Sequence, residues 1–302
     1  MKMEIYQIYY KKEHVEYLDE AFTPLDVSQN NNPKWCEYQV FLDNEGMFKG
    51  NTDEYIAFIS WKFFIKTHIR GRELLNAMTD DDSADVFFIN PYETSIAGLY
   101  KSVWSQLDSV FPGILSTIQY CLDRAGYDLD ISTMIMSEDQ MAFCNYWIGT
   151  KNFWKEYMNF TCPLYDYLEH QLDEETRKYF IQLDKKNGLG LFPHIMERMF
   201  STFLLVRKNQ FNVVRIPLPA DIQEIDFEII STCNQVKTGM ISLKNKEVAQ
   251  MALDAQDTML SHLLRYKQAS QKMEKKGPIM RLISAAAKKC DESISYLYLC
   301  NR

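Results

Sequence analysis

The chain has 302 residues, 46% hydrophobic and 14% aromatic, enough for one large core or two smaller ones, which excludes global disorder. A formal charge of −8 excludes a nucleic-acid binder held by phosphate neutralisation. Seven cysteines with no Cys-x-x-Cys pair and no short Cys/His spacing exclude a disulfide framework and a zinc site, and they suit a reducing, cytoplasmic setting.

Residues 4–10, EIYQIYY, are β-branched and aromatic and predict a strand, after an N-terminus too charged for a signal peptide. FTPLDVSQNNNPKW reads as a turn-rich loop, with Pro33 opening a helix that WCEYQVFLDNE continues. Tyr55 to Ser60 predict a second strand, RGRELLNAM a helix, and Asp85 to Asn90 a buried strand that Pro91 stops. SIAGLYKSVWSQL and GILSTIQYCLDRAGY are amphipathic helices, the latter capped at Gly126. MAFCNYWIGT predicts a further strand. KNFWKEYMNFTCPLYDYLEHQL predicts a helix bent near Pro163, FPHIMERMFSTFLLVRKN another helix, and FNVVRIPLP a last strand. Beyond Pro219 the pattern is helical, with Val248, Met251, Ala252, Ala255, Met259, Leu263 and Tyr266 at helical spacing. Strands alternating with helices imply an α/β domain over 1–217 with a mainly parallel sheet flanked by helices. A helical C-terminal region follows over 218–302.

In such sheets ligands sit outside the carboxyl ends of the strands, so residues just after each strand are the candidates. These are Tyr9, Tyr10 and Lys11, with His14 nearby; Ser60, Trp61, Lys62 and Lys66; Asn90 and Tyr92; and Thr150, Lys151 and Asn152. Aromatic, amide and cationic groups in that density suit a nucleotide or a sugar. The plainer reading is solvated lysines and packed aromatics. There is no GxGxxG, no Walker A sequence and no GxSxG elbow, which speaks against dehydrogenases, P-loop kinases and α/β-hydrolases.

The order YQIYY, WCEY, YIAFISWKF, ADVFFINPY, FPGIL, FCNYWIGTKNFW and MERMFSTFLL, over residues 4–206, resembles a family of bacterial proteins from surface-polysaccharide clusters, regarded as glycosyltransferases of the GT-A-like (Rossmann-type) kind. The resemblance implies transfer of a sugar from a nucleotide-sugar donor to a glycan or lipid-linked acceptor. It places Gln7 to Tyr10 near the nucleotide and Ser60, Trp61 and Lys62 beside the diphosphate; Asn145 and Lys151 are further substrate-binding candidates. Asn90 falls where many such enzymes carry a metal-binding Asp-x-Asp. Here the residues are Asn-Pro-Tyr, so Mn²⁺ or Mg²⁺ loses its usual ligands. Lys62, Lys66, Lys151 or Arg198 would then offset the leaving-group charge, unless Asp85 or Asp80 to Asp82 hold an ion.

The same resemblance puts Glu197 toward the acceptor as general base, with Arg198 beside it as a phosphate contact. A simpler account is a glutamate favoured by the helix dipole. Glu138 and Asp139 are rival bases. From Arg265 to Lys289 there are eight basic residues and one acidic, a stretch suited to the anionic inner face of a membrane or to a solvated helix. Two readings stand against an enzyme: a nucleotide- or glycan-binding module without turnover, and a helical interaction protein docking through its basic tail.

Overall fold

The β-branched and aromatic runs do form strands. The computed structural model describes residues 2–50, 53–79, 83–92, 99–183, 190–219 and 227–258. In it β1 spans Met3–Tyr9, β2 Thr23–Asp26, β3 Tyr55–Ser60, β4 Val86–Phe88, β5 Trp147–Thr150 and β6 Val213–Arg215. They build one sheet in the order β2-β1-β3-β5-β4-β6. Parallel pairs join β1 to β2, β1 to β3 and β4 to β6, while β5 runs antiparallel to both neighbours. The fold is therefore α/β with a mostly parallel sheet flanked by helices.

Two expectations need correcting. The supposed loop FTPLDVSQ contains β2, an edge strand whose partner β1 lines up Tyr6 with Thr23 and Tyr9 with Asp26. Pro24 disguises it in the sequence, since proline is tolerated at sheet edges. The run MAFCNYWIGT is a strand only from Trp147 to Thr150, and it points the opposite way to the rest.

The helices are α1 (Glu37–Asp43), α2 (Phe63–Thr67), α3 (Gly71–Met78), α4 (Val103–Val110), α5 (Ile114–Arg124), α6 (Lys151–Asp166), α7 (Glu174–Leu183), α8 (Phe192–Val206) and α9 (Phe227–Ser242). Side chains alternate across each strand and so feed two cores. On one face Ala57, Ile59, Phe87 and Ile148 pack with Phe63 of α2 and with Leu74 and Met78 of α3. On the other, Trp147 lies 4.0 Å from Trp154 of α6 and stacks on Phe200 of α8 at 5.0 Å, and Phe41 of α1 meets Trp154 at 4.9 Å. α8 is thus pinned across the sheet with its first turns reaching the carboxyl edge. Pro163 does not break α6; the helix runs to Asp166 and then widens into a π turn over Tyr167–Gln171.

Gly149 of β5 lies close against Phe153 of α6. A Cβ there would stand 2.8 Å from a ring carbon of Phe153, which is wholly buried. Gly149→Ala is expected to destabilise by about 1–3 kcal/mol, as overpacking in a closed core does. Urea denaturation of the full chain would test this, and an unchanged midpoint would refute it.

Residues 1–243 form one compact unit and 244–302 a second, so α9 belongs with the sheet and the division falls later than the expected 217/218. In the second unit the described residues are helical over 246–258. Of the residues expected at helical spacing, Val248 and Met251 are exposed, while Ala249 and Leu253 are buried. Met259, Leu263, Tyr266 and the basic stretch 265–289 lie outside the described residues. No helix among the described residues is long and apolar enough to cross a membrane.

Candidate functional site

From β1 the chain departs toward β2, and from β3 toward the far side of the sheet; in α/β sheets the ligand crevice lies outside the carboxyl ends of two strands whose connections part in this way. Five segments bring side chains together at that edge: the residues after β1, the start of α1, α2, the approach to β5, and the first turns of α8.

Glu197 comes from α8, with Phe200 one turn on anchoring that helix to Phe88 and Trp147. Its carboxyl is drawn out of bulk water, with 22% of the side chain still exposed. Burial first, then the Glu37 carboxylate, pushes its pKa up to about 7 against the pull of Arg198 and Lys66. His194 sits one turn earlier, its Nδ1 3.9 Å from the carboxylate.

Glu37 is the residue that sequence reasoning missed. It opens α1 immediately after Cys36, whose backbone stands at φ 48° and ψ −125°. A non-glycine residue there is strained by about 1–3 kcal/mol and persists only where its surroundings hold it. The hold is visible: Glu169 accepts from Trp35 Nε1 at 2.9 Å and from Asn32 Nδ2 at 3.3 Å, and pairs with Lys34 at 2.6 Å. Burial raises the pKa of Glu37, opposed in part by its own backbone N–H and by Lys66 and Lys62, and the buried Tyr10 hydroxyl nearby has no hydrogen-bond partner. A signal was present, since Pro33 and the Trp-Cys-Glu sequence announce a helix start where a carboxylate meets the positive end of the dipole.

Lys66 lies among these acids. Its Nζ is 3.2 Å from Cys144 Sγ and rests over the rings of Tyr92 at 5.9 Å and Tyr146 at 5.8 Å. Burial pushes the Cys144 thiol up to about 12, so it is neutral at pH 7. The ammonium in turn opposes the upward pKa shifts of Glu197 and Glu37. Tyr146 Oη is 3.1 Å from Ser60 Oγ, which also accepts from the Lys62 backbone N–H at 3.3 Å. Trp61 carries His14 stacked on its ring at 3.9 Å, with Lys62 Nζ 5.1 Å from its centroid.

The other candidates divide clearly. Gln7 is buried, accepting from the Asp19 backbone N–H at 2.7 Å. Tyr9 faces Asp26 of β2, and Lys11 is exposed. Asn90 and Asn145 are buried at the carboxyl edge. Lys151 is brought nowhere near them. Because β5 is reversed, its end lies at the opposite edge, where Lys151 Nζ pairs with Glu54 at 2.5 Å, and Thr150 and Asn152 go with it. It is the residues before β5 that reach the site.

Arg198 is buried and turned into α4. Its Nε donates to Val103 O at 3.0 Å, and its terminal nitrogens donate to His194 O at 2.8 Å and Gln106 Oε1 at 2.5 Å. That geometry makes it a clamp between helices, not a phosphate contact. Glu138 and Asp139 both pair with Arg215, the last residue of β6.

A divalent ion does not fit the residues at Asn90. Its Oδ1 already accepts from the Tyr92 backbone N–H at 3.0 Å, which leaves an N–H donor facing inward, and a donor repels a cation. Among the described residues no group of three or more His, Cys, Asp or Glu is placed to hold a metal. Asp85 accepts from the Asn212 backbone N–H at 2.7 Å, and Asp80 to Asp82 lie outside the described residues.

No protein-family model matches this chain, and neither a curated protein nor a solved structure is found to match it. The site's chemistry rests on its own residues. They offer a carboxyl able to exchange a proton near neutral pH, a second carboxylate beside it, an ammonium within reach of an anion, and flanking aromatic rings.

Proposed function

We propose that the protein is a glycosyltransferase using a nucleotide-sugar donor and a hydroxyl acceptor, glycan or lipid-linked, in surface polysaccharide assembly. The observation that carries this reading is the convergence of Glu197, Glu37 and Lys66 at the carboxyl edge of an α/β sheet, where burial raises the pKa of Glu197. A sugar hydroxyl is a weak nucleophile, and a positioned carboxylate takes its proton as the new bond forms. The acceptor oxygen attacks the anomeric carbon, the bond to the diphosphate breaks, and negative charge grows on the leaving phosphate. Lys66, with Lys62 at the rim, meets that charge. A sheet with one reversed strand among five parallel ones is compatible with a GT-A-like fold, and the expected family resemblance points the same way.

The test is turnover of a panel of sugar nucleotides, with and without glycan and polyprenyl-phosphate acceptors. Sugar release or transfer that depends on Glu197 supports the reading; binding with no turnover on any acceptor replaces it with a recognition module. Lys66→Met is expected to weaken UDP or GDP by about tenfold to a hundredfold, the worth of a charged hydrogen bond at ~1.5–3 kcal/mol. Uridine or guanosine affinity should hold. Equal loss for nucleoside and diphosphate in calorimetric titrations would remove Lys66 from the phosphate side.

A further inference from the structure

Two buried amides beside the crevice are left incomplete. Ile89 N donates to Tyr146 O at 2.9 Å, so the β4–β5 ladder continues one step past Phe88 and Trp147. Carried one step further, the same antiparallel register would set Asn90 opposite Asn145. By alternation both belong to the face of Phe88 and Trp147, which α8 covers through Phe200. Glu197 is three residues before Phe200 and so shares that side of the helix.

Asn90 is 1% exposed and Asn145 8%. The backbone N–H of Tyr92 fixes the orientation of the Asn90 amide, and the Asn90 Nδ2 is then buried without a partner. The Asn145 Oδ1 is buried without a partner as well. Native proteins rarely leave buried polar atoms unmatched, and each such atom calls for an explanation. Here the two orphans are complementary, one donor and one acceptor, on facing residues at the site that Glu197 serves.

We propose that Asn90 and Asn145 together read the sugar ring of the donor, Nδ2 giving a hydrogen bond to one ring substituent and Oδ1 taking one from the next. The inference rests on the glycosyltransferase reading and specifies which residues choose the sugar. Adjacent hydroxyls of a hexose, or a hydroxyl next to an acetamido group, present that acceptor and donor on neighbouring carbons. A substrate lacking them would leave both amides unmatched, a discrimination that polar sites achieve far better than apolar ones.

The experiment is calorimetric titration of the full chain with UDP-glucose, UDP-N-acetylglucosamine and GDP-mannose, each compared with UDP or GDP. At least one sugar nucleotide should bind about tenfold or more tighter than its own diphosphate, as two well-made hydrogen bonds allow. Asn145→Leu should cut that advantage to below about threefold and leave diphosphate affinity unchanged. It should not lower the melting point of the unliganded chain, because it replaces an unmatched oxygen by an apolar group. Asn145→Ala serves the same purpose if leucine is not accommodated. A sugar advantage that survives in both variants overturns the proposal. So does equal loss of diphosphate and sugar-nucleotide binding, which marks a structural role. Diphosphate binding with no sugar advantage in the wild type sinks this inference alone, while no binding of any nucleotide sinks the glycosyltransferase reading and this one with it.

Discussion

Glu197→Gln is expected to lower turnover by about 100- to 10,000-fold, the usual worth of a positioned base, with sugar-nucleotide affinity nearly unchanged. Glutamine keeps the size and the hydrogen-bonding reach of the side chain and removes only its ability to accept a proton. The wild-type rate should rise as pH climbs through about 7, where Glu197 releases its proton. The residual rate of the variant should lack that limb. A variant with wild-type turnover, or a wild-type profile flat from pH 5 to 9, would remove Glu197 from the chemistry.

The same substitution has a stability signature of known sign. In the unfolded chain a glutamate ionises near 4.5, while the folded state holds the proton of Glu197 up to about 7. Between those values the native state binds more protons, so stability falls as pH rises. The contribution of Glu197 is complete below the unfolded value and is lost through the folded one. Glutamine carries no such penalty. At pH 8 the variant should be the more stable, by on the order of 3 kcal/mol, and at pH 4 the two should match. Urea titrations at both pH values measure this. A site that becomes sturdier when its base is removed is what a stability–activity compromise predicts.

Arg198→Ala should act on stability, not on the reaction. Three hydrogen bonds to Val103, His194 and Gln106 disappear, and the carbonyls they served are left in a dry helix contact. The expected loss is about 3–5 kcal/mol. For a unit of this size that lowers the melting midpoint by roughly 6–20 °C. Lysine is not a substitute, because its single ammonium cannot serve three acceptors in a fixed plane. Turnover per folded molecule, read well below the midpoint, should stay within about tenfold of wild type, far from the loss in Glu197→Gln. Its pH limb should move upward, since the guanidinium pulls the Glu197 pKa down. A wild-type midpoint for Arg198→Ala would show that the clamp is not one.

What could be read in advance follows from which physical signals are local. β3 was legible to the residue, because six consecutive buried positions between turn residues leave no other explanation. The existence of β5 was legible too, but its direction was not: a strand's polarity is set by how its flanking segments pack, and nothing in Trp-Ile-Gly-Thr encodes it. That one hidden fact moved Lys151 to the wrong edge. It also concealed the importance of Cys144 and Tyr146, which precede the strand. β2 was hidden by Pro24 and by polar neighbours suited to an exposed edge. Glu37 resembled any acidic residue at a helix start. Its neighbours Tyr10, Lys66 and Glu197 are distant in sequence, and only the sheet brings them together. Arg198 was misjudged for the converse reason, since next door along a helix means a different direction in space.

The reversal of β5 also separates the molecule's duties. Every connection that could lengthen at the edge holding Glu54 and Lys151 does so far from the crevice, where an ion pair and the start of α6 answer only for rigidity. Evolution, or an engineer, could remodel that rim to suit a new neighbour or a hotter habitat without touching substrate choice. The six residues from Met141 to Tyr146 have no such licence: a single insertion there would slide Asn145 off its opposite number and empty the space under Lys66 in the same stroke.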